Sequence, residues 1–217
     1  MNRAGATRTT AFGGLGLALA AVIELVAVIA TWSADAGVLF SPFRGASQVI
    51  VDLLLLAGCV ILAFGYRGEQ GIVGSSVPGR VGFLLLGLAS PLQILFSYLV
   101  VALNPSGSTA VVWIGTALGF LPMAATIIAA VAVIRAGVLA GFARWILLGV
   151  AAAELILFAF SAVQFALQSD DIIVSFYLAA LPPLLLLSAG VSYMLEGHSA
   201  DIRQRLQAIY TTWRATT

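Results

Sequence analysis

Apolar residues run through this chain in six long blocks separated by short polar punctuation, at 10–32, 46–65, 82–103, 109–134, 143–167 and 172–195. A helix needs about 20 such residues to cross a hydrocarbon core of about 30 Å at about 1.5 Å per residue. The connectors carry turn chemistry, with Ser41-Pro42-Phe43 after the first block and Asn104-Pro105-Ser106-Gly107 after the third. The longest connector, 66–81, holds Gly68, Gly71, Gly74, Pro78 and Gly79 and reads as a loop. The pattern predicts an all-α, polytopic membrane protein. Its six transmembrane helices form three sequential two-helix hairpins, one bundle over 1–195 with a tail over 196–217.

The tail has a different period. Ile202, Leu206, Ile209 and Trp213 recur at helical spacing, flanked by Arg203, Arg205 and Arg214. Ser199 is a candidate N-cap and Asp201 would sit in the first turn. This predicts a short amphipathic helix lying on the membrane surface.

Polar residues inside the blocks stand out against this background. Glu24 lies within the first block, where an acid opposes insertion by roughly 2.5–3.5 kcal/mol on translocon scales. The surrounding apolar residues outweigh that, so the helix still inserts and the acid must face protein. Steps of three and four from Glu24 meet Gly13, Gly16, Ala20, Ala27 and Thr31, a stripe that lets a neighbouring helix approach closely. In the third block Ser90, Gln93, Ser97 and Asn104 share a face. In the fifth, Ala151, Glu154, Ser161 and Gln164 do. Asp52, in the second block, is the third intramembrane acid, with Arg44 close enough in sequence to pair with it at the interface. Pro91, Pro122, Pro182 and Pro183 each remove a helical donor and free a carbonyl.

The blocks also resemble one another. The third and fifth match at an offset of 62 residues through Leu85/Leu147, Leu86/Leu148, Gly87/Gly149, Ala89/Ala151 and Ile94/Ile156 to Phe96/Phe158. The fourth and sixth match at an offset of 60 through Leu121-Pro122 and Leu181-Pro182. The first and fifth match at 130 through Glu24-Leu25 and Glu154-Leu155. A hairpin used three times would set Glu24, Gln93 and Glu154 at corresponding heights, where they would converge if the hairpins surround an axis.

Composition fixes the solvent and narrows the chemistry. Of 217 residues 61% are hydrophobic and 9% charged, against about 25% charged in ordinary globular chains. The bilayer is therefore the main partner. A net charge of +1 without a basic cluster predicts no nucleic-acid partner. One Cys precludes an intrachain disulfide, one His (His198, outside the blocks) precludes a bis-His site, and the absence of Lys precludes a Schiff base. No metal site and no cofactor are expected, and neither a phosphate loop nor a nucleophile elbow is present.

All ten basic residues are Arg, and nine of them (Arg3, Arg8, Arg67, Arg80, Arg135, Arg144, Arg203, Arg205 and Arg214) fall on one side of the expected topology. Only Arg44 falls on the other, so the positive-inside rule places both termini in the cytoplasm of a cell-membrane protein. Arg3 and Arg8 ahead of an apolar run, with Ala34-Asp35-Ala36 after it, imitate a signal peptide. The run is long for one and contains Glu24, so a retained helix is expected.

Since no Arg lies within a block, Glu24 and Glu154 have no built-in countercharge. A proton, a cation or an amine-containing molecule would supply it. Three functions compete. One is a small transporter or ligand-binding bundle in which Glu24 and Glu154 hold the ligand and Gln93 and Ser97, with Ser161 and Gln164 near by, orient it. Another is an accessory or assembly subunit, or a homo-oligomer, whose acids and small residues bind a membrane partner. The third is an enzyme acting on a lipid or isoprenoid through a protonated Glu, which lacks an evident second catalytic group.

Overall fold

The computed structural model describes residues 7–32, 41–103, 114, 118–167 and 172–216. These residues form helices and turns without a strand. The six helices are α1 (Thr7–Trp32), α2 (Ser41–Phe64), α3 (Val77–Leu103), α4 (Leu121–Ala136), α5 (Ile146–Leu167) and α6 (Ile172–Thr216), with one 3-10 turn at Gly141–Arg144. Four of them contain segments long and apolar enough to cross a membrane: Thr7–Thr31, Ala46–Phe64, Val77–Val100 and Tyr177–Ser199. The described apolar lengths of the other two, Leu121–Ala136 and Ile146–Phe160, are shorter, and most of 104–120 lies outside the described residues.

Helices dominate because lipid offers the backbone no hydrogen-bond partner, so each segment must satisfy its own N–H and C=O groups. Neighbours in sequence pack side by side from α1 through α6, and α6 returns against α1. The α1–α6 contact is the most extensive of all, and α5 is the most lightly held member. Packing within the expected hairpins is therefore no closer than packing between them.

Glycine explains the grip on α1. A Cβ built on Gly16 would lie 2.9 Å from Gly58 Cα in α2, and one on Gly13 would lie 2.5 Å from the Leu62 side chain. The stripe Gly13–Gly16–Ala20–Glu24 thus faces α2. An adjacent face meets α6: a Cβ on Gly14 would lie 2.6 Å from Gly190 O, one on Gly190 2.6 Å from Ala18 N, and one on Gly197 2.5 Å from Thr7 O. Backbone rests on backbone along both seams, the arrangement small residues allow in membranes. Gly149 in α5 has open space around its added Cβ.

Two corrections concern the connector and the tail. Helix α3 begins at Val77, inside the expected loop, and the remaining connector over 65–76 is a fitted plug. Ile72 and Val73 are buried with Leu62, Phe83, Ala129 and Val133 in the core. Gly65 takes φ +93° to start the turn, a conformation open to Gly at little cost. The Glu69 carboxylate accepts a hydrogen bond from Thr9 N at 2.7 Å and from the Thr7 hydroxyl at 3.4 Å, so it caps the first turn of α1. The Thr9 hydroxyl in turn accepts from Tyr66 N at 3.0 Å, and Phe12 lies against the Tyr66 ring with centroids 4.9 Å apart.

The tail is not a separate helix. Helix α6 runs unbroken from Ile172 to Thr216, and Ser199 sits inside it instead of capping a new start. Its hydroxyl donates back to Glu196 O at 3.0 Å, a bond that competes with capping. Gly197 does not break the helix because α1 packs directly over it.

At the other end of α4, Gly137 ends the helix with φ +63° and its N–H on Val133 O. Arg144 then folds back so that its guanidinium donates to Ile134 O, 3.1 Å from Nε.

Two tests follow from these contacts. Gly190→Ala forces two backbones apart and should lower the melting temperature in detergent markedly, whereas Gly149→Ala should be neutral or stabilising by up to about 1 kcal/mol from helix propensity. Glu69→Ala should cost about 0.5–2 kcal/mol, the range for a lost helix cap, with most of the loss recovered in Glu69→Gln.

Candidate functional site

Among the described residues, burial stops at one level across the bundle. Going from the 65–76 plug toward the opposite end, the last buried residues described are Ala21 in α1, Val51 and Asp52 in α2, Ala89 in α3, Ala125 in α4, Ala151 in α5 and Ala180 in α6. Beyond that level side chains are half-buried or exposed, as at Leu95, Tyr98 and Ile156. Glu24, Gln48, Asp52, Ser90, Gln93 and Glu154 all lie at that level or within about a turn of it.

The α1–α2 seam carries the first cluster. Gly16 meets Leu54–Gly58, so two turns further along the antiparallel pair Glu24 comes beside Gln48 and Asp52. Glu24 is half-buried there. Asp52 is 9% exposed and accepts a hydrogen bond from Gln48 Nε2 at 3.1 Å. The same amide nitrogen is 3.2 Å from Ser90 Oγ in α3. Three helices thus contribute two carboxyls, an amide and a hydroxyl. The expected partner of Asp52, Arg44, has a side chain outside the described residues, so that pairing lies outside them too. The faces of α6 and α1 meet at Gly14–Gly190, and Pro183, also buried, lies about two turns toward this level along α6. Pro183 has no N–H to give to Ala179 O, so that carbonyl lacks its usual helical donor.

Gln93 serves a different purpose from the one expected of it. Pro122 cannot donate to Leu118 O, four residues earlier, and Gln93 Nε2 donates to that oxygen at 3.0 Å. The side chain from α3 repairs the gap that the proline opens at the start of α4. Ser97 is exposed and its hydroxyl donates to Gln93 O at 2.8 Å within its own helix.

Glu154 occupies the α4–α5 contact, beside Phe158, whose ring meets Phe120 with centroids 4.5 Å apart. Its carboxyl hydrogen-bonds with the Thr126 hydroxyl, and Thr126 is 1% exposed. The Thr126 hydroxyl also donates to Pro122 O at 2.9 Å, which leaves its lone pairs to face the acid. The Glu154 Oε2 atom is buried without a hydrogen-bond partner among the described residues. Glu24 and Glu154 are therefore held in different seams, Glu24 on the α1–α2 seam and Glu154 beside Thr126 of α4, and are not paired with one another among the described residues. Ser161 and Gln164 belong to α5, but their side chains lie outside the described residues.

Sequence inspection missed Gln48, Thr126 and Tyr193. Gln48 was legible as a residue one turn from Asp52 on the same face. Thr126 and Tyr193 had no signal beyond being polar residues within apolar blocks. No group of three or more His, Cys, Asp and Glu side chains placed to hold a metal occurs among the described residues. No family model, curated protein or solved structure matches the chain.

Removing the Gln93 amide should orphan Leu118 O. Gln93→Leu is expected to cost about 1–3 kcal/mol, and Pro122→Ala, which restores the backbone donor, should recover most of it. Melting temperatures of the two single variants and the double variant give the coupling directly.

Proposed function

We propose that this protein is a small transporter-like or ion-binding membrane bundle that uses carboxyl groups within the membrane to hold a proton or another cation. The observation that carries this reading is the placement of Glu24 and Asp52 on one α1–α2 seam. Two acids stand across that seam at the level where burial ends among the described residues, and Gln48 and Ser90 complete the group. An acid within a membrane is costly unless it is paired, and two acids on one seam offer a bound cation two ligands. No Arg lies within an apolar block of the sequence, so a cation from outside the chain is the compensation this reading assigns. Glu154, with one unpartnered oxygen, offers a second carboxyl at a similar level.

In this reading the helices cross the cell membrane six times with both termini in the cytoplasm, following the Arg distribution. The 65–76 plug then seals the cytoplasmic end and the acids are approached from the outer one. A proton, an inorganic cation and an amine-containing molecule all satisfy the charge requirement.

A second reading, an accessory subunit or homo-oligomer, draws on α5. This lightly held helix exposes Ala152, Ile156 and Ala159 and leaves open space at Gly149. A stoichiometric partner copurifying from native membranes would favour it.

The decisive experiment is uptake into liposomes containing the purified protein, with protons, sodium and organic amines tested in turn. Glu24→Gln and Asp52→Asn should each reduce uptake of the true cargo at least about tenfold, the equivalent of about 1.4 kcal/mol. Undiminished uptake of every cargo in the double variant would defeat the proposal.

A further inference from the structure

The α1–α2–α6 seam is layered. Glu24, Leu17 and Thr10 follow one another at seven-residue steps on α1, and Asp52 and Cys59 do so on α2, with Tyr66 next in the connector. Each step is two helical turns, about 10.5 Å. The acid pair thus stands two turns above a layer formed by Leu17 and Cys59, both fully buried. Two further turns lead to Thr9 and Thr10, buried in the plugged end, and to Glu69 on the first turn of α1.

Tyr193 of α6 enters the middle layer. Its backbone lies opposite Gly14, where an added Cβ would come 2.9 Å from Tyr193 Cβ. Side chains on a helix lean toward its N-terminus. Helix α6 is antiparallel to α1, with Gly197 beside Thr7 and Gly190 beside Ala18, so that lean carries the Tyr193 ring from the plugged end toward the acids. Tyr193 and Cys59 belong to the same buried cluster. The residue is 0% exposed, and its hydroxyl has no hydrogen-bond partner among the described residues. One turn below it, the Thr10 hydroxyl sits against Gly197 on the same seam, 2.6 Å from the position of an added Cβ.

A buried hydroxyl left unsatisfied is a liability that phenylalanine, of nearly the same shape, would avoid. Its position between two polar ends of one seam gives it a use. We propose that Tyr193 is a proton relay between the Glu24–Asp52 pair and the Thr9–Thr10–Glu69 end, which makes the proton the cation of this protein. The inference rests on the carboxyl reading given above and narrows its cargo. In the relay step a carboxyl of the pair releases its proton through an intervening water to the phenol oxygen. The phenol's own proton departs at the same time to a water on the Thr10 side. One O–H bond forms as another breaks, the phenol ends neutral, and no electrons change hands. The hydroxyl then rotates back to receive the next proton.

The test is Tyr193→Phe in the full chain, reconstituted in liposomes with an entrapped pH dye and driven by a potassium diffusion potential. Proton entry should slow at least tenfold relative to wild type, while the melting temperature in detergent stays the same or rises. Unchanged proton entry overturns the relay, and so does a slowed entry accompanied by a lower melting temperature, which would mean that the hydroxyl is structural. Glu24→Gln and Asp52→Asn, run in parallel, separate the two failures. If they stop the flux and Tyr193→Phe does not, the relay falls and the carboxyl reading stands. If all three variants conduct like wild type, both fall. A wild-type protein that moves sodium or an amine but no protons likewise overturns the relay alone.

Discussion

Backbone contact along α1 is the constraint from which the remaining geometry follows. Lipid tails are as apolar as leucine, so helices in a membrane gain little from hiding apolar surface from one another. What holds them is close fit. Gly13 and Gly16 let α2 come against one face of α1, and Gly14 lets Gly190 of α6 come against the next. Any side chain at these points would displace a backbone. Two seams fixed in this way determine register, and register determines which polar residues meet. Glu24 finds Asp52 because Gly16 finds Gly58, two turns away.

The polar level follows from the same economy. A polar group within the membrane needs a partner, supplied from the same helix for Asp52 and from a neighbouring helix for Leu118 O and Glu154. Asp52 receives Gln48, Leu118 O receives Gln93, and Glu154 receives Thr126. Below this level small and branched apolar residues fill most of the space, with the Tyr193 hydroxyl and the Thr9 and Thr10 side chains buried among them. Above it the helices carry side chains that protein does not cover. Glu24 is the exception, since the residue across its seam is another acid. That exception is the basis for reading a cargo into the site.

Much of the helical layout was legible in the residue pattern, because long apolar blocks and their period depend on local chemistry alone. The small-residue stripe through Gly13, Gly16 and Glu24 named the packing face of α1 for the same reason. A period identifies a face and is silent about what lies against it. Asp52 could be seen beside Arg44 in sequence, but its meeting with Glu24 depends on the α1–α2 register. The Gln93 amide reaches a carbonyl 25 residues away, freed by a proline in another helix. Glu69 caps a helix that starts about 60 residues before it. Ser199 misled because a serine that caps and a serine that bonds back within a helix look alike in one dimension.

The aligned trio Glu24, Gln93 and Glu154 shows how far equivalence of position extends. All three stand about a turn from where close packing ends. Their neighbours then assign them different chemistry. Gln93 faces a carbonyl stripped of its donor and becomes a repair. Glu154 faces the Thr126 hydroxyl, which also donates to Pro122 O and so ties the acid to the start of α4. Glu24 stands across the seam from Asp52, and two like acids on one seam invite a cation. Corresponding height therefore fixes depth in the membrane and nothing more. The seam each residue occupies decides whether it holds the bundle together or leaves room for a cation.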